Sequence, residues 1–151
     1  MKRFGRDELA DDPFRQFKLW FSDAQLCDDI QYAAAACLST VDPEGYPEGR
    51  MVIVQDVASK AFTFCTDNRS PKSRALEVNP RVALTFYWGP LERQVRIQGS
   101  VEPGSEEAAD RCFQRRPKRS QITAWASRQS ERLRDSRALA RRVEELDDRY
   151  Q

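Results

Sequence analysis

The hydrophobic period changes twice along the chain. Near the start, Phe14, Phe17, Trp20, Phe21 and Ala24 recur at helical spacing, which gathers them on one face of an amphipathic helix. Asp11-Asp12-Pro13 supplies an acidic cap and a first-turn proline, so the helix is predicted to begin there. From residue 33 the period shortens toward two. Residues 33–41 and 51–57 read as strands either side of an Asp42-Pro43-Glu44-Gly45 turn, and 61–66 as a third. Ser70-Pro71 opens a short helix through Leu76, which Asn79-Pro80 ends. Two further strands, 82–88 and 94–101, are joined into a hairpin by a Gly-Pro turn with a Leu-Glu-Arg return.

On the second hairpin strand Gln94, Arg96 and Gln98 fall on one face and Val95 and Ile97 on the other, because strand side chains alternate. The polar face is available to a ligand. Ser105-Glu106-Glu107 begins a helix with acidic groups at its positive end, and Pro117 interrupts it. A last helix is predicted over 135–150, with Leu139, Val143 and Leu146 on one face. The pattern predicts an α+β domain built on a small antiparallel β-barrel with flanking helices. It is read as one domain over residues 1–151, helical from about 104 onward.

Composition adds a core: 40% hydrophobic and 32% charged residues place the chain among globular rather than disordered sequences. The net charge of +1 hides an asymmetry, since residues 1–110 carry 13 basic and 18 acidic groups and 111–151 carry 12 and 6. The basic stretch has no interleaved aromatic pattern to support nucleic-acid binding, so no nucleic-acid partner is expected. Arg137, Arg141 and Arg142 against Glu144, Glu145 and Asp148 predict a salt-bridged solvent face. Cys27, Cys37, Cys65 and Cys112 lack a CxxC spacing and there is no His, so neither a metal site nor a redox pair is predicted and the thiols are expected to be reduced. Cys112 reads as a small buried hydrophobe, and Trp125 as packing under the loop at Gln129 rather than stacking on a ligand. No apolar run approaches the roughly 18 residues of a membrane span, and MKRFGRDELADD is too acidic for a secretory signal, so a cytoplasmic protein without a membrane partner is expected.

Two segments carry more. FYWGPLERQVRIQG at 86–99 is followed by RRPKRSQITAWASRQS at 115–130, and earlier stand DPFRQFKLWFSDA at 12–24, GRMVIVQ at 49–55 and FCTDNRSPKSRALEVNPRVAL at 64–84. In this order and spacing they resemble the pyridoxamine 5'-phosphate oxidase family of FMN-dependent oxidases, and several ordered segments are more specific than any single motif. The resemblance covers residues 12–150. Members of the family continue into strands bearing a Trp and an Arg-x-His-Asp-Arg type segment, which has no counterpart among these 151 residues.

The resemblance implies the FMN-binding split barrel, a homodimer with two flavin sites at the subunit interface, and FMN contacts at Arg50, Met51, Val52, Ile53, Cys65, Thr66, Lys72, Gln94, Gln129 and Ser130. Chemistry supports the assignment, since a dianionic phosphate needs cations and helix N–H groups, and Arg50 and Lys72 supply charge near a strand start and a helix start. Each alone would more often be a solvated surface charge. One departure is visible: the family's Arg-Lys pair at the short helix is Pro71-Lys72 here. For the substrate phosphate, Arg116 and Ser120 match, Gln55 replaces a Lys, and Cys112 stands where a Tyr would be. No side-chain nucleophile is required, because the flavin carries the chemistry.

The implied activity is transfer of a hydride from pyridoxamine or pyridoxine 5'-phosphate to FMN and then of electrons to oxygen. Gln55 and Cys112 point to an alternative, an FMN oxidase or reductase for another small substrate such as a phenazine-type ring. A further alternative is a homologue that binds flavin or pyridoxal phosphate without turnover.

Overall fold

In a computed structural model of the chain, the residues described are 5, 9–58, 61–133 and 135–150. The first helix forms where its pattern predicts. α1 spans Pro13–Gln25, and the Asp12 side chain accepts the Phe14 N–H at 3.0 Å, satisfying one of the donors a helix start leaves open. Five strands follow in one sheet, β1 Ala35–Val41, β2 Pro47–Ala58, β3 Ala61–Phe64, β4 Arg81–Trp88 and β5 Arg93–Ser100, in the spatial order β3-β2-β1-β4-β5. Between β3 and β4 lies α2, Pro71–Val78, and after β5 come α3 Glu106–Gln114, α4 Lys118–Ala126 and α5 Ser136–Arg149. β2 starts earlier than its apolar run suggests, because Pro47, Glu48 and Gly49 pair as strand without contributing alternation. Pro117 does more than interrupt a helix: it ends one and stands as N-cap of the next.

The chain divides into two compact units, residues 1–39, 49–64 and 82–99 in the first and 40–48, 65–81 and 100–151 in the second. The first holds the aromatic core. Phe17 on α1 meets Phe62 edge-on at 4.9 Å between centroids and Phe86 at 5.0 Å, and Trp88 donates its indole N–H to the Ala33 carbonyl at 3.0 Å. Phe17, Phe86 and Trp88 are buried. The apolar stripe of α1 is therefore largely consumed by its own sheet. β1 and β4 pair antiparallel with Leu38 opposite Leu84, and β2 and β3 pair antiparallel with Val54 opposite Phe64.

In the second unit Ala75, Ile122 and Leu146 are buried. Trp125 stacks on Phe113 at 5.8 Å and meets Tyr150 edge-on at 5.3 Å. Its role is packing, as expected, but against those rings rather than beneath the loop at Gln129, and it stays 58% exposed. On α5, Leu139 and Val143 are half-buried beside buried Leu146, while Arg142 pairs with Glu145 at 3.6 Å and Arg141 with Asp135 at 3.5 Å on the exposed side. Among the described residues no helix is long and apolar enough to cross a membrane, and no group of three or more Cys, Asp or Glu could hold a metal ion.

Candidate functional site

The densest polar cluster lies in the second unit, where the loop leaving β3 enters α2. Lys72 occupies the first turn of α2, behind Pro71, yet is only 8% exposed. Its ammonium donates to Thr66 Oγ1 at 3.0 Å, Ser70 Oγ at 3.1 Å and Gln129 Oε1 at 2.8 Å. These three oxygens orient the ammonium. Ser70 stands at the N-cap of α2 but does not cap with its side chain; its hydroxyl meets Ser73 Oγ at 3.1 Å and Thr66 Oγ1 at 3.4 Å instead. A cation beside a helix start with no side-chain cap is the donor set that a dianionic phosphate needs, so these residues fit the phosphate end of FMN.

Asp67 fixes this loop. Its carboxylate takes the Arg69 side chain through Nε at 3.0 Å and Nη2 at 2.8 Å and the Arg69 backbone N–H at 2.9 Å. It also accepts the Gln129 backbone N–H, and these bonds, the Arg69 side chain foremost, hold its pKa down at about 2. Its own carbonyl accepts the Ser73 hydroxyl at 2.8 Å. Gln129 is thus gripped by Asp67 at its backbone and by Lys72 at its side chain. Ser130, next in the chain, sits in the left-handed region at φ 66°. Asp67 escaped the sequence reading, and Ser70 figures there only as the start of α2, although the segment TDNRSPKS carries an Asp and a Ser of the kind that brace a loop before a helix.

Of the residues expected to hold FMN, the structure brings Thr66, Lys72 and Gln129 into direct contact, with Ser130 adjacent to Gln129 and Cys65 to Thr66. The others belong to the sheet. Arg50 is half-buried within β2, not at its start, and donates through Nη1 to the Leu38 carbonyl at 3.3 Å. Along β2, Val52 faces the core while Met51 and Ile53 face outward, Met51 at 64% exposure. Gln94 is exposed on β5, with Arg96 and Gln98 on the same side and Val95 and Ile97 half-buried opposite, as the alternation predicted.

Gln55 has a feature the sequence did not reveal. The register moves from Val54 opposite Phe64 to Asp56 opposite Thr63, which makes Gln55 the extra residue of a β-bulge. Bulges redirect side chains and recur beside binding sites. Arg116 lies in the turn between α3 and α4, where its carbonyl accepts the Gln121 amide at 2.8 Å. Ser120 lines a shallow groove along α4 with Pro117, Arg119, Thr123, Ala124 and Ser127.

The cysteine expectation is overturned in part. Cys27 and Cys37 are free thiols, but Cys65 and Cys112 are joined in a disulfide, with Cα atoms 6.8 Å apart. Cys112 is half-buried on α3 and is not a simple apolar filler. The pair is 47 residues apart in sequence, and spacing rules recognise only short-range pairs such as CxxC, so no sequence pattern announced it.

Comparison with known proteins agrees with this geometry. The model of the pyridoxamine 5'-phosphate oxidase family matches residues 23–150. A pyridoxine/pyridoxamine 5'-phosphate oxidase of Rubrobacter xylanophilus is 46% identical over 145 residues, covering 96% of this chain and 66% of the relative. The pyridoxine-5'-phosphate oxidase of Bos taurus is 43% identical over 140 residues, covering 93% and 54%. The chain thus spans between about half and two thirds of these relatives. Among solved structures, PhzG from Burkholderia lata 383, in complex with tetrahydrophenazine-1-carboxylic acid, superposes with a TM-score of 0.89 at 25% identity, covering 96% of this chain and 71% of that one. A pyridoxamine 5'-phosphate oxidase-related, FMN-binding protein of Nostoc punctiforme shares the fold at a TM-score of 0.66 and 20% identity, covering 87% and 73%. The sheet and its helices are those of the FMN-binding split barrel, and FMN is the cofactor that this family carries. On the family model and on identities above 40%, the chain belongs to the pyridoxamine 5'-phosphate oxidase family.

Proposed function

We propose that this chain binds FMN and serves as the flavin domain of an oxidase for a small substrate. The observation that carries the reading is Lys72: an ammonium held to 8% exposure at the first turn of α2 by Thr66, Ser70 and Gln129. An ammonium at a helix start suits an anionic ligand, because the helix N–H groups and the charge act on the same group. Lys72 and the N-terminus of α2 take the FMN phosphate, and the Gln129–Ser130 turn is presented to the cofactor by Asp67. Arg50 adds a planar guanidinium, with Met51, Val52, Ile53, Cys65, Thr66 and Gln94 as the remaining cofactor contacts. Bound FMN would supply the redox chemistry, accepting a hydride from substrate and passing electrons to oxygen. The side chains bind and orient; Arg116 and Ser120 hold an anionic group of the substrate. A second copy of the chain, meeting the outward face of β2 at Met51 and Ile53, makes the working unit a homodimer in the cytoplasm.

Pyridoxamine or pyridoxine 5'-phosphate is the substrate the family suggests. A second reading has its own support: Gln55 brings no cation, and Cys112 is tied up in a disulfide, so neither gives the substrate phosphate what a Lys and a Tyr would. That favours another substrate of similar size, including a ring system of the phenazine type. The test is to add FMN to purified protein, pass it through a desalting column and record the visible spectrum and flavin fluorescence. Retained flavin with quenched emission supports the reading; free flavin eluting alone refutes it. Peroxide release on pyridoxine 5'-phosphate, compared with a phenazine precursor, then separates the two substrates.

A further inference from the structure

We propose that Cys65–Cys112 is a reversible thiol–disulfide site whose oxidised form holds the FMN phosphate loop in its binding conformation. The proposal rests on the FMN reading above. Cys65 leaves β3 one residue before Thr66, whose hydroxyl receives the Lys72 ammonium at 3.0 Å. Cys112 sits within α3, a helix that has no fully buried residue. A helix so lightly packed is held weakly by burial alone, so a covalent tie to the loop at Cys65 weighs heavily in fixing both. The bond closes a loop that contains α2 and reaches across 47 residues. Both sulfurs belong to half-buried residues, within reach of a small dithiol.

The chemistry is thiol–disulfide exchange. A thiolate of a dithiol attacks one sulfur and releases the other as thiolate, and the second thiol of the reductant resolves the mixed disulfide. The Cys65–Cys112 cystine gains two electrons and two protons, and the dithiol leaves as a disulfide. In a reducing compartment a bond of this kind belongs to the transient, redox-sensing class. Reduction removes the covalent tie between Cys65 and α3 and leaves the 65–70 loop to its hydrogen bonds at Asp67 and Lys72, so more of the ordering of the phosphate loop is done at the expense of FMN affinity.

The test uses the full chain with FMN in three forms: oxidised wild type, wild type equilibrated with dithiothreitol, and Cys112→Ser, which breaks the bond without touching an assigned FMN contact. Thermal melts establish that each is folded at the assay temperature. Non-reducing peptide mapping should show a Cys65–Cys112 cross-link that vanishes and returns on cycling between dithiothreitol and its oxidised form. Flavin fluorescence titration should give a Kd about tenfold weaker for the reduced protein. Cys112→Ser should match the reduced value and ignore the reductant. Absence of the cross-linked peptide overturns the redox site, and equal Kd values in the two wild-type forms overturn its hold on the loop. FMN binding in no form would refute the cofactor reading and the coupling with it, while the peptide map still decides the disulfide.

Discussion

Replacing Lys72 by Met separates what this side chain does for the ligand from what it does for the fold. Methionine keeps the length and apolar stem and deletes the charge. In the ligand-free protein the change removes the ammonium's hydrogen bonds, those to Thr66, Ser70 and Gln129 among them, but also ends the burial of an ammonium at 8% exposure. The two hydroxyls can rotate toward one another, since Thr66 Oγ1 and Ser70 Oγ already stand 3.4 Å apart and Ser70 Oγ meets Ser73 Oγ at 3.1 Å. An intramolecular hydrogen bond is worth about 0.5–1.5 kcal/mol net, and the desolvation cost of the ammonium disappears with it, so the stability change should stay within about 1–2 kcal/mol. FMN affinity is another matter. A charge-assisted bond to phosphate is worth about 1.5–3 kcal/mol, which is about 10- to 150-fold in Kd. Thermal melting of the ligand-free protein and flavin fluorescence titration read the two quantities separately. A Lys72→Met protein that binds FMN within threefold of wild type would refute the phosphate assignment, and one that loses stability and affinity together would show Lys72 to be a structural group.

Four further outcomes follow from the same geometry. Trp88→Phe strands the buried Ala33 carbonyl that the indole N–H reaches at 3.0 Å, and urea unfolding should show a loss of about 1–3 kcal/mol. The Asp67 pKa is depressed from 3.8 to about 2, so its contribution to stability is fully present above 3.8 and is lost as pH falls through about 2; Asp67→Asn should flatten the melting temperature between those values relative to wild type. Reducing Cys65–Cys112 reopens a 47-residue loop, worth about 4 kcal/mol on loop-closure entropy, so melting with reductant should fall by roughly 8–16 °C; an unchanged melt would refute the estimate. Gln55→Lys, on the β2 bulge, should lower KM for a phosphorylated substrate by about tenfold or more through a new charge-assisted bond, with steady-state peroxide assays as the measure.

The fold was largely legible because its signals are local. The α1 stripe, the Asp12 cap, the alternation of β5 and the Pro71 helix start each lie within a few residues of one another, and each element forms there. Two features escaped because they depend on partners distant in sequence. Cys65 and Cys112 carry no spacing motif, and their meeting is a property of the folded second unit. Gln55 looks like any strand residue until its neighbours' partners on β3 reveal the bulge. For the site, the family resemblance named Thr66, Lys72, Gln129 and Ser130 but could not give the burial of Lys72 or the brace at Asp67, which come from packing. Arg50, read as a strand-start cation, is already turned to the Leu38 carbonyl.

The bond from Lys72 to Gln129 spans 57 residues, and it sets an order of events during synthesis. All five strands of the sheet lie before residue 101, so the sheet can pair while the later helices are still being made. The cluster at the start of α2 cannot close until Gln129 has emerged, and at about 5–20 residues per second the roughly 30 intervening residues take on the order of 2–6 s. FMN therefore meets β1 to β5 already made. A flavin-starved cell should accumulate folded, ligand-free protein rather than aggregated nascent chains, because the cofactor arrives too late to serve as a folding nucleus.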